Sequence, residues 1–244
     1  MVQKCRLCQQ VATLRRSHVI PEFLYKPYYD GKHRFQAFRF GSNPDPAVDL
    51  EQKGYREHLL CGACETRLSR YETYAAKAYF QRQRFELGFG FEYRGLDYHN
   101  MKLFQLSLLW RVAVSSIPFC TRVSIDSSDT ERIRQMLLRD QPGESVAYPC
   151  LVTEDPSLTW PFMGAPLQQD RTVTLMVANQ VWQFSVTSNA ASLKWASTLS
   201  KCWLGPDGVL MGFWRDLRET PFWGSLVQHA QGWSSDFLGR YDVC

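Results

Sequence analysis

The sequence has no run of apolar residues able to cross a bilayer as a helix. Its most apolar stretch, residues 103–119, is broken by Gln105, Arg111 and Pro118. The uncharged run 172–193 is studded with Thr, Ser, Asn and Gln, the composition of exposed strand and turn. A secretion signal is equally lacking, because Lys4 and Arg6 stand where an apolar core would have to begin. The terminal Tyr-Asp-Val-Cys places Cys244 wrongly for prenylation. No heptad pattern or repeat of twenty to fifty residues occurs, which excludes coiled coils and solenoids. These absences lead us to expect a soluble cytoplasmic protein with no membrane partner.

What the chain does have is aromatic material. Eight Trp, eleven Tyr and fifteen Phe in 244 residues must be buried somewhere, so disorder is excluded as the main state. The length suits one large domain or two small ones. Charge is unevenly spread over the overall +4. Residues 1–39 carry eight basic side chains (Lys4, Arg6, Arg15, Arg16, Lys26, Lys32, Arg34, Arg39) against Glu22 and Asp30 alone, leaving the remainder slightly acidic. A basic, aromatic-rich segment on a near-neutral body points to an anionic partner, nucleic acid first; an Arg-rich solvated surface accounts for the charge equally well.

The eight cysteines divide into two groups. Cys5-Arg-Leu-Cys8 and Cys61-Gly-Ala-Cys64 are C-x-x-C knuckles separated by 52 residues, and four thiolates are the set that a tetrahedral structural Zn2+ needs. A redox C-x-x-C would require a βαβ setting, which neither pair has. Cys120, Cys150, Cys202 and Cys244 are scattered and read as ordinary small residues.

Between and after the knuckles the coarse pattern is also legible. His18 falls in a β-like segment, followed by a turn-rich aromatic stretch at 26–30 and an alternating strand at 34–40. A Pro/Asp loop at 41–49 follows, then a short strand at 55–60. A helix is expected over about 65–84.

The order of knuckle, His, insertion, knuckle and helix over residues 5–80 resembles the zinc-containing HNH (ββα-metal) nucleases, built on a treble-clef-like scaffold. The resemblance implies a structural Zn2+ on Cys5, Cys8, Cys61 and Cys64, and a separate catalytic Mg2+ or Mn2+ between hairpin and helix. His18 matches the general base that activates water. Glu65, directly after Cys64, takes the helix-start metal position, where the family commonly has Asn or His. Ser17 stands where the family usually has an acid, so both positions depart from the pattern. Glu72, seven residues beyond Glu65, is a further carboxylate on the same helical face, about 10 Å away.

Each of these residues has a structural reading beside the functional one. His18 can brace the zinc knuckle, Glu65 is favoured by the helix dipole, and Glu72 can pair with Arg70 or Lys77. Arg15, Arg16, Lys26, Arg67 and Arg70 are the candidate nucleic-acid contacts, and a solvated face explains the helical ones nearly as well.

Residues 87–244 carry no motif that names a chemistry. We expect a strand at 89–93 and a helix at 101–116 with a buried stripe of Leu103, Leu106, Trp110 and Val114, in which Arg111 must find a partner. A capping box at Ser128–Glu131 should open a helix to about Arg139, and a β-hairpin should pair 172–178 with 181–187. Phe213-Trp214 and Pro221-Phe222-Trp223-Gly224 read as core anchors.

The expected fold class is therefore α+β: a zinc-bound HNH-like module at 1–86 and a mixed α+β domain at 87–244. Two functions follow. One is a metal-dependent endonuclease, DNA favoured, whose C-terminal region selects substrate or a protein partner; bacterial antiviral defence or mobile-element biology is implied by the resemblance only. The other is a non-catalytic zinc module binding nucleic acid or protein.

Overall fold

The computed structural model describes residues 2–39, 47–81, 84–157, 164–177, 180–190 and 202–216. The fold is α+β, with a cysteine cluster at its N-terminal end. Strands β1 (Val2–Lys4), β2 (Val11–His18) and β5 (Arg56–Cys61) form a three-stranded antiparallel sheet, ordered β1-β2-β5. Between β2 and β5 lie a 3-10 turn, Glu22–Tyr28, and a separate hairpin of β3 (Phe35–Arg39) and β4 (Ala47–Glu51). The expected loop at 41–49 thus gives way to strand from Ala47, and residues 40–46 lie outside the described ones.

Helix α1 (Gly62–Gln81) begins three residues before the expected Glu65. The second knuckle is its first turn: Cys61 and Cys64 are three apart, so their sulfurs leave on one side. The helix stops at Gln81 rather than running to 84, because Arg84 already opens β6 (Arg84–Leu87).

Helix α2 (Tyr98–Val114) is capped by Asp97, whose carboxylate accepts the Asn100 N–H at 2.9 Å. The expected apolar stripe is too narrow a description. Every residue from Met101 to Val112 is buried, Lys102, Gln105 and Arg111 included, because the helix is enclosed on all sides. In α3 (Ser127–Arg139) the expected capping box does not form. Asp129 instead accepts from the Tyr148 hydroxyl at 2.7 Å and from Arg171 at 3.0 Å, while Glu131 holds Arg134. The helix ends on Asp140 in the left-handed region, φ 60°, whose N–H bonds back to Met136 O.

The remaining strands are β7 (Gly90–Tyr93), β8 (Cys150–Glu154), β9 (Leu167–Gln169), β10 (Thr172–Val177), β11 (Gln180–Ser185) and β12 (Leu210–Trp214). With β6 they make a seven-stranded sheet ordered β6-β7-β12-β8-β11-β10-β9, in which only the β12–β8 pair is parallel. The expected hairpin is β10–β11, with Gln180 in the second strand opposite Val177. Phe213 and Trp214 end β12; residues 221–224 lie outside the described ones.

One continuous apolar core joins both parts of the chain. Leu14, Ile20, Leu68 and Tyr71 share it with Phe104, Leu108 and Val112 of α2 and with Val152, Val173 and Phe184 of the large sheet. Each such side chain contributes on the order of 2 kcal/mol by leaving water. Among the described residues no helix is long and apolar enough to cross a membrane.

Candidate metal centre and adjoining polar site

The four knuckle sulfurs lie within 4.8 Å of one another. The Cys8 and Cys61 sulfurs are 3.8 Å apart, the edge length of a tetrahedron with metal–sulfur bonds of about 2.3 Å. The first knuckle is closed by Gln9 N–H to Cys5 O at 2.9 Å and Cys5 N–H to Gln10 O at 2.8 Å, with Gln9 in the left-handed region. The Cys61 N–H points at the Cys5 sulfur, 3.3 Å away. Burial opposes ionisation of Cys5, yet the backbone N–H groups of Cys61, Cys8 and Leu7 bring its thiol down to about 7. Burial and the neighbouring sulfurs push Cys64 the other way. Four such sulfurs cannot all ionise without a cation between them, so the set can hold one metal ion such as Zn2+. Among the described residues it is the only cluster of three or more Cys, His, Asp or Glu with metal-ligand spacing.

Beside this centre the structure brings together residues far apart in sequence. Strand β2 pairs with β5 from Leu14–Cys61 to His18–Arg56, with a bulge where Arg15 faces Leu60 and Arg16 faces His58. The bulge turns Arg15 and Arg16 both outward and Ser17 fully inward. There the Ser17 hydroxyl donates to Glu65 Oε2 at 2.6 Å. Burial raises the Glu65 carboxyl, and the Ser17 bond and the charges of Arg111 and Arg15 work against that rise.

His18 is held at both ends. Its Nε2 lies 2.8 Å from the carbonyl of Lys53, which can only accept; with the hydrogen on Nε2 the two bond and Nδ1 is the basic nitrogen of the neutral ring. Arg56 Nε is 2.9 Å from the same Nε2 and 3.0 Å from Lys53 O. In that tautomer Arg56 gives its hydrogen to the carbonyl as well; in the other it donates to Nε2. Burial, then the Arg56 charge, lowers the imidazole below its usual 6.5 and leaves it neutral at pH 7. Glu22 closes the surround, 3.8 Å from His18, 3.7 Å from His33 and 3.9 Å from Arg56.

Glu72 is not a free helix charge, and it pairs with neither Arg70 nor Lys77. Its Oε1 is 2.7 Å from Nη2 of Arg111, while Arg70 instead faces Asp140 at 3.7 Å. The pairing has a simple cause: a buried guanidinium needs a carboxylate more than an exposed one does. Arg111 thereby finds the core partner expected for it. Of the remaining basic candidates, Arg15, Arg16 and Lys26 are exposed and Arg67 is half-buried. Arg15 lies across the start of α1, its Nε 3.8 Å from where a Cβ on Gly62 would sit.

Sequence reasoning missed Glu22, Lys53 and Arg56 around His18. Glu22 was discoverable, four residues beyond the histidine; the carbonyl of Lys53 was not, since a backbone atom leaves no mark in residue type. Comparison of the chain with protein-family models, with curated proteins and with solved structures found no match.

Proposed function

We propose that the chain is a metal-dependent hydrolase of nucleic-acid phosphodiester bonds, of HNH type and with DNA favoured, whose four cysteines carry a structural Zn2+. The observation supporting it is the meeting of Ser17, the residue before His18, with Glu65, 48 residues on, at 2.6 Å. Their two oxygens suit a hard divalent ion, Mg2+ or Mn2+, which would keep waters in its other positions. When bound, such an ion supplies charge stabilisation at the phosphate and the leaving oxygen. Glu72, engaged by Arg111, is left out of that ligand set. His18 accepts the proton of the attacking water at Nδ1 while Nε2 stays fixed on Lys53 O. Arg15, Arg16 and Arg67, which form no ion pair with described residues, grip phosphates without reading bases.

A second reading, a non-catalytic zinc module for nucleic acid or protein, is favoured by one feature. Ser17 and Glu65 already satisfy each other, so the pair is stable without an ion.

Nicking of supercoiled plasmid with Mg2+ and then Mn2+ separates the two. Wild type should cut, and His18→Ala should lose about 10²–10⁴-fold in rate at equal zinc content and melting temperature. Cutting by neither protein, on DNA and then on RNA, selects the binding module.

A further inference from the structure

We infer that Arg111, carried by α2 in the part of the chain that has no recognisable motif, is a positioning residue of the candidate site. The inference rests on the hydrolase reading and deepens it, by making the site a joint product of both parts of the chain.

Arg111 is only 1% exposed, and each of its three guanidinium nitrogens has a partner. Nε reaches Ser107 O at 3.3 Å and Nη2 reaches Ser107 Oγ at 3.3 Å, which fixes the guanidinium against its own helix. The two remaining contacts leave the helix. Nη1 donates to the carbonyl of His18 at 2.8 Å, and Nη2 meets Glu72 Oε1 at 2.7 Å. An arginine buried only for packing is expensive, and apolar residues of similar volume usually do as well. What distinguishes this one is where its fork lands.

His18 stands on the last rung of the β2–β5 ladder, opposite Arg56. Just beyond that rung the Val19 N–H bonds to Tyr55 O at 3.0 Å, while the carbonyl of His18 itself is taken by Arg111. Arg111 anchors that carbonyl and Lys53 O lies against the ring at Nε2, so the residue is held at both its backbone and its side chain. The same guanidinium also takes Glu72, which keeps that carboxylate apart from the Ser17–Glu65 pair. A lysine could neutralise Glu72 but offers a point charge in place of a planar fork, and so could not hold both acceptors.

The test uses the full-length zinc-loaded protein and Arg111→Lys. Zinc content, melting temperature, nicking kcat and KM, and the 15N signals of the His18 ring would be measured together, below the melting temperature of both. The expected result is an intact zinc site, an unchanged KM for DNA, and kcat lower by about 10- to 100-fold. The His18 ring signals should move away from their wild-type positions. Wild-type kcat with unchanged ring signals overturns the inference. If Arg111→Lys does not fold, the double variant Glu72→Gln/Arg111→Met removes the charged pair and leaves the His18 carbonyl without its donor, with the same readouts. Should wild type cut neither DNA nor RNA, the hydrolase reading falls by itself. The ring signals then decide alone: displaced signals uphold Arg111 as the residue that positions His18, and unchanged ones overturn it.

Discussion

The Ser17 hydroxyl donates to the Glu65 carboxylate across 2.6 Å, joining the end of β2 to the first turn of α1. Ser17 is completely buried, so this bond is its hydroxyl's means of leaving water, and the carboxylate gains a donor in return. In the proposed hydrolase the pair would supply two ligands of a divalent ion, one of them a hydroxyl in place of an acid.

Replacing that hydroxyl by a carboxylate should expose the site's appetite for cations. In Ser17→Asp, two carboxylates would face each other in a buried place, and like charges there repel. We expect a fall in melting temperature without added divalent ion and a recovery with millimolar Mg2+ or Mn2+. Thermal melts with and without the ion check this. A melting temperature indifferent to the ion would argue against a second metal at this position.

The knuckle cysteines should act as one unit. Cys61→Ser removes a ligand from both the strand end and the start of α1, so zinc should fall from about one ion per chain to almost none. Elemental analysis beside far-UV circular dichroism tests it. Retention of a full equivalent of zinc would show that Cys61 is not a ligand.

The turn that presents Lys53 O to His18 depends on Gly54. Its φ is +66°, and an added Cβ would lie 2.4 Å from the buried ring of Tyr25. That ring cannot swing aside, because its hydroxyl accepts the Tyr55 N–H at 3.1 Å and its face packs on Phe35. Gly54→Ala should therefore cost about 3 kcal/mol, a fall of roughly 6–12 °C in melting temperature. The His18 ring signals should also move from their wild-type positions in 15N spectra. A melt and spectrum like wild type would place the carbonyl's support elsewhere.

A buried amine should give the stability a specific pH dependence. Lys102 is 1% exposed, its Nζ donates to Tyr148 O at 3.0 Å, and burial lowers it from 10.5 to about 8. Cys150 beside it is buried too, which pushes its thiol up and keeps it from serving as a counter-ion. Between about pH 8 and 10.5 the unfolded chain binds more protons at this residue than the folded one, so its contribution to stability rises with pH across that window. Below pH 8 the penalty is fully present. Lys102→Met should accordingly stabilise the protein at pH 7 by on the order of 2 kcal/mol, net of the lost hydrogen bond. The advantage should shrink as pH climbs past 8. Denaturant melts of both proteins at pH 7 and pH 9.5 measure it; a gap that stays constant would exonerate the amine.

Local chemistry was readable from the chain alone wherever it depended on near neighbours. The C-x-x-C spacing announced the cysteine cluster, because two sulfurs three residues apart share a side whether in a knuckle or in a helical turn. The alternation of the strands and a helix expected at 101–116, found at 98–114, followed from side-chain periodicity, and the need of Arg111 for a partner followed from its apolar surroundings. The boundaries shifted where tertiary demands prevailed. The Ser128–Glu131 box did not form: the helix already opens at Ser127, after Asp126, and Glu131 holds Arg134 instead. Long-range pairing was decided only in three dimensions: Ser17 with Glu65, Glu72 with Arg111, His18 with the Lys53 carbonyl. The reason is physical. Residue type records what a side chain can bond, while the partner it receives depends on which acceptors the packed core leaves within 3 Å, and a backbone carbonyl is common to every residue.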